Sequence, residues 1–381
     1  MTRIDHLCHT LRFRRSAAGV LGQVATAFVA VAFIGAWAKP AQAESMDFAL
    51  ERLAENGDTC RTEDGASVPG VTCIPDNDAF VSMINQFGMA VAPTNMYPAR
   101  TTGYGGFEIG VEGAFTTISN NAEYMKQGTR GQSDSTTGVA ASSNEKPPPL
   151  LQLYSVRLRK GFGFGIETAL AFGFMPRTSI ISGGLDLRVA ILEGFRDGIP
   201  GYFPDIAVAG SVRTITGSPQ VQLTVVGLSG VLSKPITVAE TGVITPWVGY
   251  QHLFIYGDSG VIDFTPGESA LQSCGFVGPS IPGTPGRESD DGSPTCSEGG
   301  SAHDFSNTRT FDPVRLMRQR LLFGLNYRYE ILTVGGQIMA DVFNSARAIN
   351  SNHESAVFEA EKDAGGNISN FAFSLFVGAH F

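Results

Sequence analysis

The last eleven residues constrain the fold more than any other stretch of the chain. Phe371, Phe373, Leu375, Val377, Ala379 and Phe381 fall on one face at period two, and Ala372, Ser374, Phe376, Gly378 and His380 fall on the other. Period two is the side-chain repeat of an extended strand. The pattern recurs upstream. Phe107, Ile109, Val111 and Phe115 alternate with Glu108, Gly110, Glu112 and Ala114, and Tyr154, Val156 and Leu158 with Ser155, Arg157 and Arg159. Phe164, Ile166, Thr168, Leu170 and Phe172 alternate with Gly165, Glu167, Ala169 and Ala171, and Ile181, Leu185, Leu187, Val189 and Ile191 with Ser182, Gly184, Asp186, Arg188 and Ala190. Leu321, Phe323, Leu325, Tyr327 and Tyr329 oppose Arg320, Leu322, Gly324, Asn326 and Arg328. Leu332, Val334, Ile338 and Val342 oppose Thr333, Gln337 and Asp341.

Candidate strands cover 103–118, 150–160, 163–175, 179–192, 204–217, 219–232, 242–257, 315–330, 332–343 and 367–381. The facing of 219–232 and 242–257 stays open, because both faces carry apolar residues. A soluble sandwich also alternates, but its polar face meets water and is commonly rich in Lys. Here that face is Gly, Ala, Ser, Asn and mixed Glu, Asp and Arg, which suits a narrow, partly dry interior where guanidinium and carboxylate pair bidentately. Only 17% of residues are charged against roughly 25% in an ordinary soluble domain. The other face is apolar over the ~9–11 residues that a tilted membrane-spanning strand needs. Its aromatics gather towards the strand ends, as interfacial girdles do.

A terminal strand ending on an aromatic residue resembles the closing strand of Gram-negative outer-membrane β-barrels. The resemblance implies that Phe371, Phe373, Leu375, Val377 and Phe381 form a signal read by the barrel assembly machinery, and that outer-membrane lipid surrounds the apolar face. The fold expected is all-β: a transmembrane, antiparallel, up-and-down barrel of about ten strands (10–12) over residues 103–381. With a periplasmic C-terminus, connections after odd-numbered strands are extracellular and should be the long ones. The three long connections, 119–149, 258–314 and 344–366, follow the first, seventh and ninth candidate strands.

Residues 1–43 read as a secretory signal peptide, with Arg3, Arg12, Arg14 and Arg15 ahead of an apolar stretch and Ala41-Gln42-Ala43 as the cleavage site. Without them, the 27 basic and 36 acidic residues fall to 22 and 35, a net −13, which disfavours nucleic acid and anionic membrane surfaces as partners. Four cysteines remain, and four allow three pairings. Closeness in sequence favours Cys60–Cys73 and Cys274–Cys296, which requires an oxidising compartment. A metal site is the alternative, but there is no CxxC pair and no flanking His.

Residues 44–102 precede the first strand and show helical spacing at 46–56 (Met46, Phe48, Ala49, Leu53) and 77–88 (Phe80, Met83, Ile84, Phe87). Asp76 or Asn77 offers an N-cap and Gly88 a stop. The segment reads as a periplasmic cap on the barrel mouth, with a plug inside the lumen as the alternative. A barrel of this size leaves little room for a helix, which favours the cap.

Little catalytic chemistry is visible. His353-Glu354-Ser355 is similar to the catalytic His and Ser of outer-membrane phospholipases and lipid A deacylases. Those families place both on a strand with Asn and Gly following, whereas Ala356-Val357 follow here, in an expected loop. His303-Asp304 is the only hint of a rim protease, and Asp290-Asp291-Gly292 lacks the spacing of a calcium loop. The strongest site reading is a lumen charge network: Glu108, Glu112, Glu167, Asp186 and Asp341 facing Arg157, Arg159, Arg188, Arg320 and Arg328. Such a network either fills a closed barrel or lines a constriction for small polar solutes. The sequence therefore points to an outer-membrane barrel with a structural or loop-interaction role, no cofactor, and an extracellular partner it does not identify. A narrow porin-like channel is the alternative and a lipid hydrolase the second.

Overall fold

The computed structural model describes residues 44–61, 68, 71–133, 141–194, 203–238, 241–266, 274–275, 295–296, 307–342, 347–348 and 370–381. All ten expected strands form. They are β1 (Phe107–Thr117), β2 (Leu150–Gly161), β3 (Ile166–Phe174), β4 (Ile181–Leu192), β5 (Asp205–Thr216), β6 (Val221–Ser233), β7 (Gly242–Ser259), β8 (Val314–Tyr329), β9 (Leu332–Asp341) and β10 (Phe371–His380). Each pairs antiparallel with its chain neighbour, and β1 pairs with β10 from Glu108↔His380 to Thr116↔Ala372. Closure leaves the barrel without a free edge.

Outward registers carry the apolar alternation. Leu170, Phe172, Leu185, Ile191, Phe323, Leu325, Leu375 and Val377 are all exposed on the outer wall. So large a contiguous apolar surface is stable only against another apolar phase. Near one rim Phe115 stacks on Phe373 at 4.7 Å and meets Tyr154 edge-on at 6.0 Å. That rim, the upper mouth, receives the long connections after β1, β7 and β9. The lower mouth holds the connections after β2, β4, β6 and β8 and the C-terminus, where Phe107 and Phe381 exchange backbone hydrogen bonds of 3.0 and 2.7 Å.

Residues 44–102 do not cap the lower mouth, and the expectation of a cap is corrected. The segment begins at the upper mouth, fills the lumen and leaves at the lower mouth to start β1. Met46 N–H donates to Arg177 O, Ala49 N–H to Gly128 O and Leu50 N–H to Gln220 Oε1, all at the upper end. These donors are committed to the barrel and its loops, so the expected helix at 46–56 reduces to one 3-10 turn, Leu50–Arg52. The Cys60–Cys73 disulfide forms here as expected. Cys274 and Cys296 are backbone partners in a short two-stranded ladder.

A 15-residue helix, Asn77–Val91, then descends inside the barrel. Asp76 caps it by accepting from Ala79 N–H at 2.8 Å, and Phe80 packs on Phe311 above β8. Every residue from Ala79 to Val91 is buried, including Ser82, Asn85 and Gln86. The room comes from glycine. A Cβ on Gly257 of β7 would lie 2.5 Å from Ile84, and one on Gly88 would lie 2.6 Å from Ile255. Gly88 is therefore a close-approach residue rather than the expected helix stop. The helix continues to Val91 and ends before Pro93, which disfavours helical geometry in the residue ahead of it. Leu223, Val225, Leu253, Ile255 and Leu316 point inward around it, so the upper lumen is an apolar core.

Candidate functional site: the plugged lumen

Below the helix, residues 92–102 cross the lower lumen as a single chain. This segment has no strand partner, so its backbone polar groups need bonds from elsewhere. The wall supplies them. Gln251 Nε2 and Arg320 Nη2 donate to Pro93 O, Gln337 Nε2 to Thr94 O at 2.7 Å, and Arg188 Nη1 to Pro98 O. Ala99 N–H donates to Ser233 Oγ at 3.0 Å, and Thr102 N–H to Glu167 Oε2 at 2.8 Å. Asn95 bonds Ser229, and Ser374 approaches the Met96 sulfur.

The charged residues form linked groups around this chain. Arg159 is bidentate to Glu167, at 2.8 and 2.9 Å from its Nη2, and reaches Glu108 at 2.9 Å. Arg157 donates to Glu112 at 2.7 Å, to Thr94 Oγ1 at 2.9 Å and to Asp186, which also accepts from Arg213 at 2.9 Å. Arg318 pairs with Asp341 and reaches Asn85 of the helix at 3.2 Å. Tyr97 inserts its ring among these arginines. The guanidinium carbons of Arg159, Arg157 and Arg188 lie 3.6, 4.8 and 5.6 Å from its centroid, and Phe376 meets it edge-on at 5.4 Å. Buried charges are tolerated best when paired and hydrogen-bonded, and Arg157, Arg159, Arg213 and Arg318 each have a carboxylate partner.

The structure brings most of the expected network together. Glu108, Glu112, Arg157, Arg159, Glu167, Asp186, Arg188 and Arg320 are buried inside the barrel. Two were expected to face carboxylates but bind elsewhere: Arg188 bonds a carbonyl of the threaded chain, and Arg320 bonds Pro93 O and Gln251 Oε1. Asp341 sits high in the lumen, apart from Arg328 at the lower mouth. Arg213 and Arg318 belong to the network and were missed. Their signal was present, since each lies two residues along the same face from an inward residue, Ser211 and Arg320. Tyr97 had no signal, because its stretch has no alternation. His353, Ser355, His303, Asp304, Asp290 and Asp291 lie outside the described residues.

No family model and no curated protein matches the chain. Among solved structures it is similar to two of Ail, the attachment invasion locus protein of Yersinia pestis. One, in complex with the heparin analogue sucrose octasulfate, gives 8% identity and a TM-score of 0.21, covering 73% of this chain and 99% of that one. The other gives 8% identity and a TM-score of 0.20 with the same coverage. The barrel assignment comes from this chain's own closed strand ladder: ten antiparallel strands around a lumen that its N-terminal segment fills.

Proposed function

We propose that this protein is an integral outer-membrane β-barrel of a Gram-negative cell with a closed lumen, and that its role is carried by its extracellular end. The observation behind this reading is the course of residues 77–102, which occupy the lumen from the upper mouth to the lower. A helix fills the upper half and a cross-bonded chain the lower half. A barrel so filled presents a rigid platform rather than a pore. The outer apolar wall supports residence in lipid, and the C-terminal aromatic strand supports insertion by the barrel assembly machinery. The upper mouth carries the long connections and the Cys60–Cys73 clip, which suits contact with an extracellular partner. A planar-bilayer recording of the full-length folded protein tests the reading. Silence at all voltages is expected, whereas reproducible unitary conductance would overturn it in favour of a channel.

A further inference from the structure

Two arginines of the barrel interior are unlike the rest. Arg157, Arg159, Arg213 and Arg318 pair with carboxylates, and Arg188 and Arg320 bind backbone carbonyls. Arg100, on the threaded chain, and Arg328, on β8, have no hydrogen bond or ion pair among the described residues. Both are partly buried, and both line one cleft of about 70 Å³ at the lower mouth. His380 and Asn326 share its wall. Glu108, a carboxylate that also lines the cleft, already accepts from Arg159 at 2.9 Å and lies 3.8 Å from His380. The Asn326 oxygen accepts from Trp247 Nε1 at 3.0 Å, which assigns the other end of its amide as the N–H2 donor group.

A half-buried guanidinium with no partner is a standing cost, because burial removes water without replacing its hydrogen bonds. Two such groups lining one small concavity, with a further donor beside them, supply the guanidinium forks that capture an oxyanion. We propose that this cleft is a binding site for a single oxyanion, a phosphate or carboxylate group, presented from the lower mouth. Arg100 and Arg328 supply the two charged forks and Asn326 the neutral donor. Because Arg100 belongs to the threaded segment and Arg328 to the wall, the bound anion would also clasp the plug's lower end to the barrel.

The probes are inorganic phosphate and succinate, titrated by calorimetry into the full-length detergent-folded protein at fixed ionic strength. At least one should bind saturably, and the tighter one identifies the anion class. Arg100→Gln and Arg328→Gln should each weaken binding about ten-fold or more, the scale of one lost hydrogen bond to a charged group. Neither arginine makes a hydrogen bond or ion pair among the described residues, so both variants should keep the heat-modifiable gel mobility of a folded barrel. Arg177→Gln removes an exposed guanidinium at the opposite mouth and should leave affinity unchanged. The site is overturned if neither probe binds, if Arg100→Gln and Arg328→Gln bind like the parent, or if Arg177→Gln weakens binding equally.

Discussion

The Arg159 guanidinium lies over the Tyr97 ring, with 3.6 Å between its carbon and the ring centroid, and joins the threaded segment to the barrel wall. The contact couples a side chain without regular secondary structure to a strand residue held by two carboxylates. Cation–π contacts in desolvated sites contribute ~2 kcal/mol or more, and the buried ring adds its packing. Tyr97→Ala should therefore destabilise the barrel by ~3–5 kcal/mol, the range for deleting a buried aromatic. The Tyr97 hydroxyl is buried and has no hydrogen-bond partner among the described residues, so Tyr97→Phe should be neutral or slightly stabilising. Thermal unfolding followed by circular dichroism separates the two variants. Equal losses would mean that the hydroxyl, not the ring, matters.

Arg157 holds two carboxylates at once, Glu112 and Asp186. Arg157→Ala leaves Glu112 without its only ion-pair partner among the described residues and should cost ~3–5 kcal/mol. Adding Glu112→Gln removes the stranded charge and should recover part of that loss, because residues in one network do not act additively. Arg188→Ala should cost less than Arg157→Ala, since Arg188 serves a backbone carbonyl rather than a carboxylate. Denaturation temperatures of the four proteins test this ordering.

The helix fits because Gly257 and Ile84 interlock. Gly257→Ala places a methyl 2.5 Å from Ile84 Cγ2 and should destabilise by ~1–3 kcal/mol through overpacking. Trimming Ile84 to Ala in the same chain removes the clash. The double variant should be more stable than the sum of the two single losses predicts. Strict additivity in chemical denaturation would show that the helix does not touch β7.

The path of residues 44–102 puts the start of the described chain and its C-terminus at opposite mouths. Glu55 is exposed at the upper mouth and Phe164 in a lower turn. If the upper mouth is extracellular, Glu55→Cys should react with a membrane-impermeant maleimide on intact cells. Phe164→Cys should react only after the outer membrane is permeabilised. The reverse pattern would invert the topology.

The sequence by itself determined the barrel. Period-two alternation in seven of the ten strands told the two faces apart, because one met lipid-like surroundings and the other a polar lumen. Loop parity gave the up-and-down order, and inward Glu, Asp and Arg marked most of the charge network. What only the tertiary structure decided was the content of the lumen. Strands β6 and β7 looked ambiguous because Leu223, Val225, Leu253 and Ile255 face inward yet are apolar. They line a helix that local periodicity could recognise but not place. Whether a helix fits inside a barrel depends on close approaches such as Gly257 to Ile84, which join residues far apart in the chain. The same holds for Tyr97, whose partners are three arginines on two strands that follow it. Alternation is a local property of one strand, whereas plugging is a relation between a segment and the whole ring of strands around it.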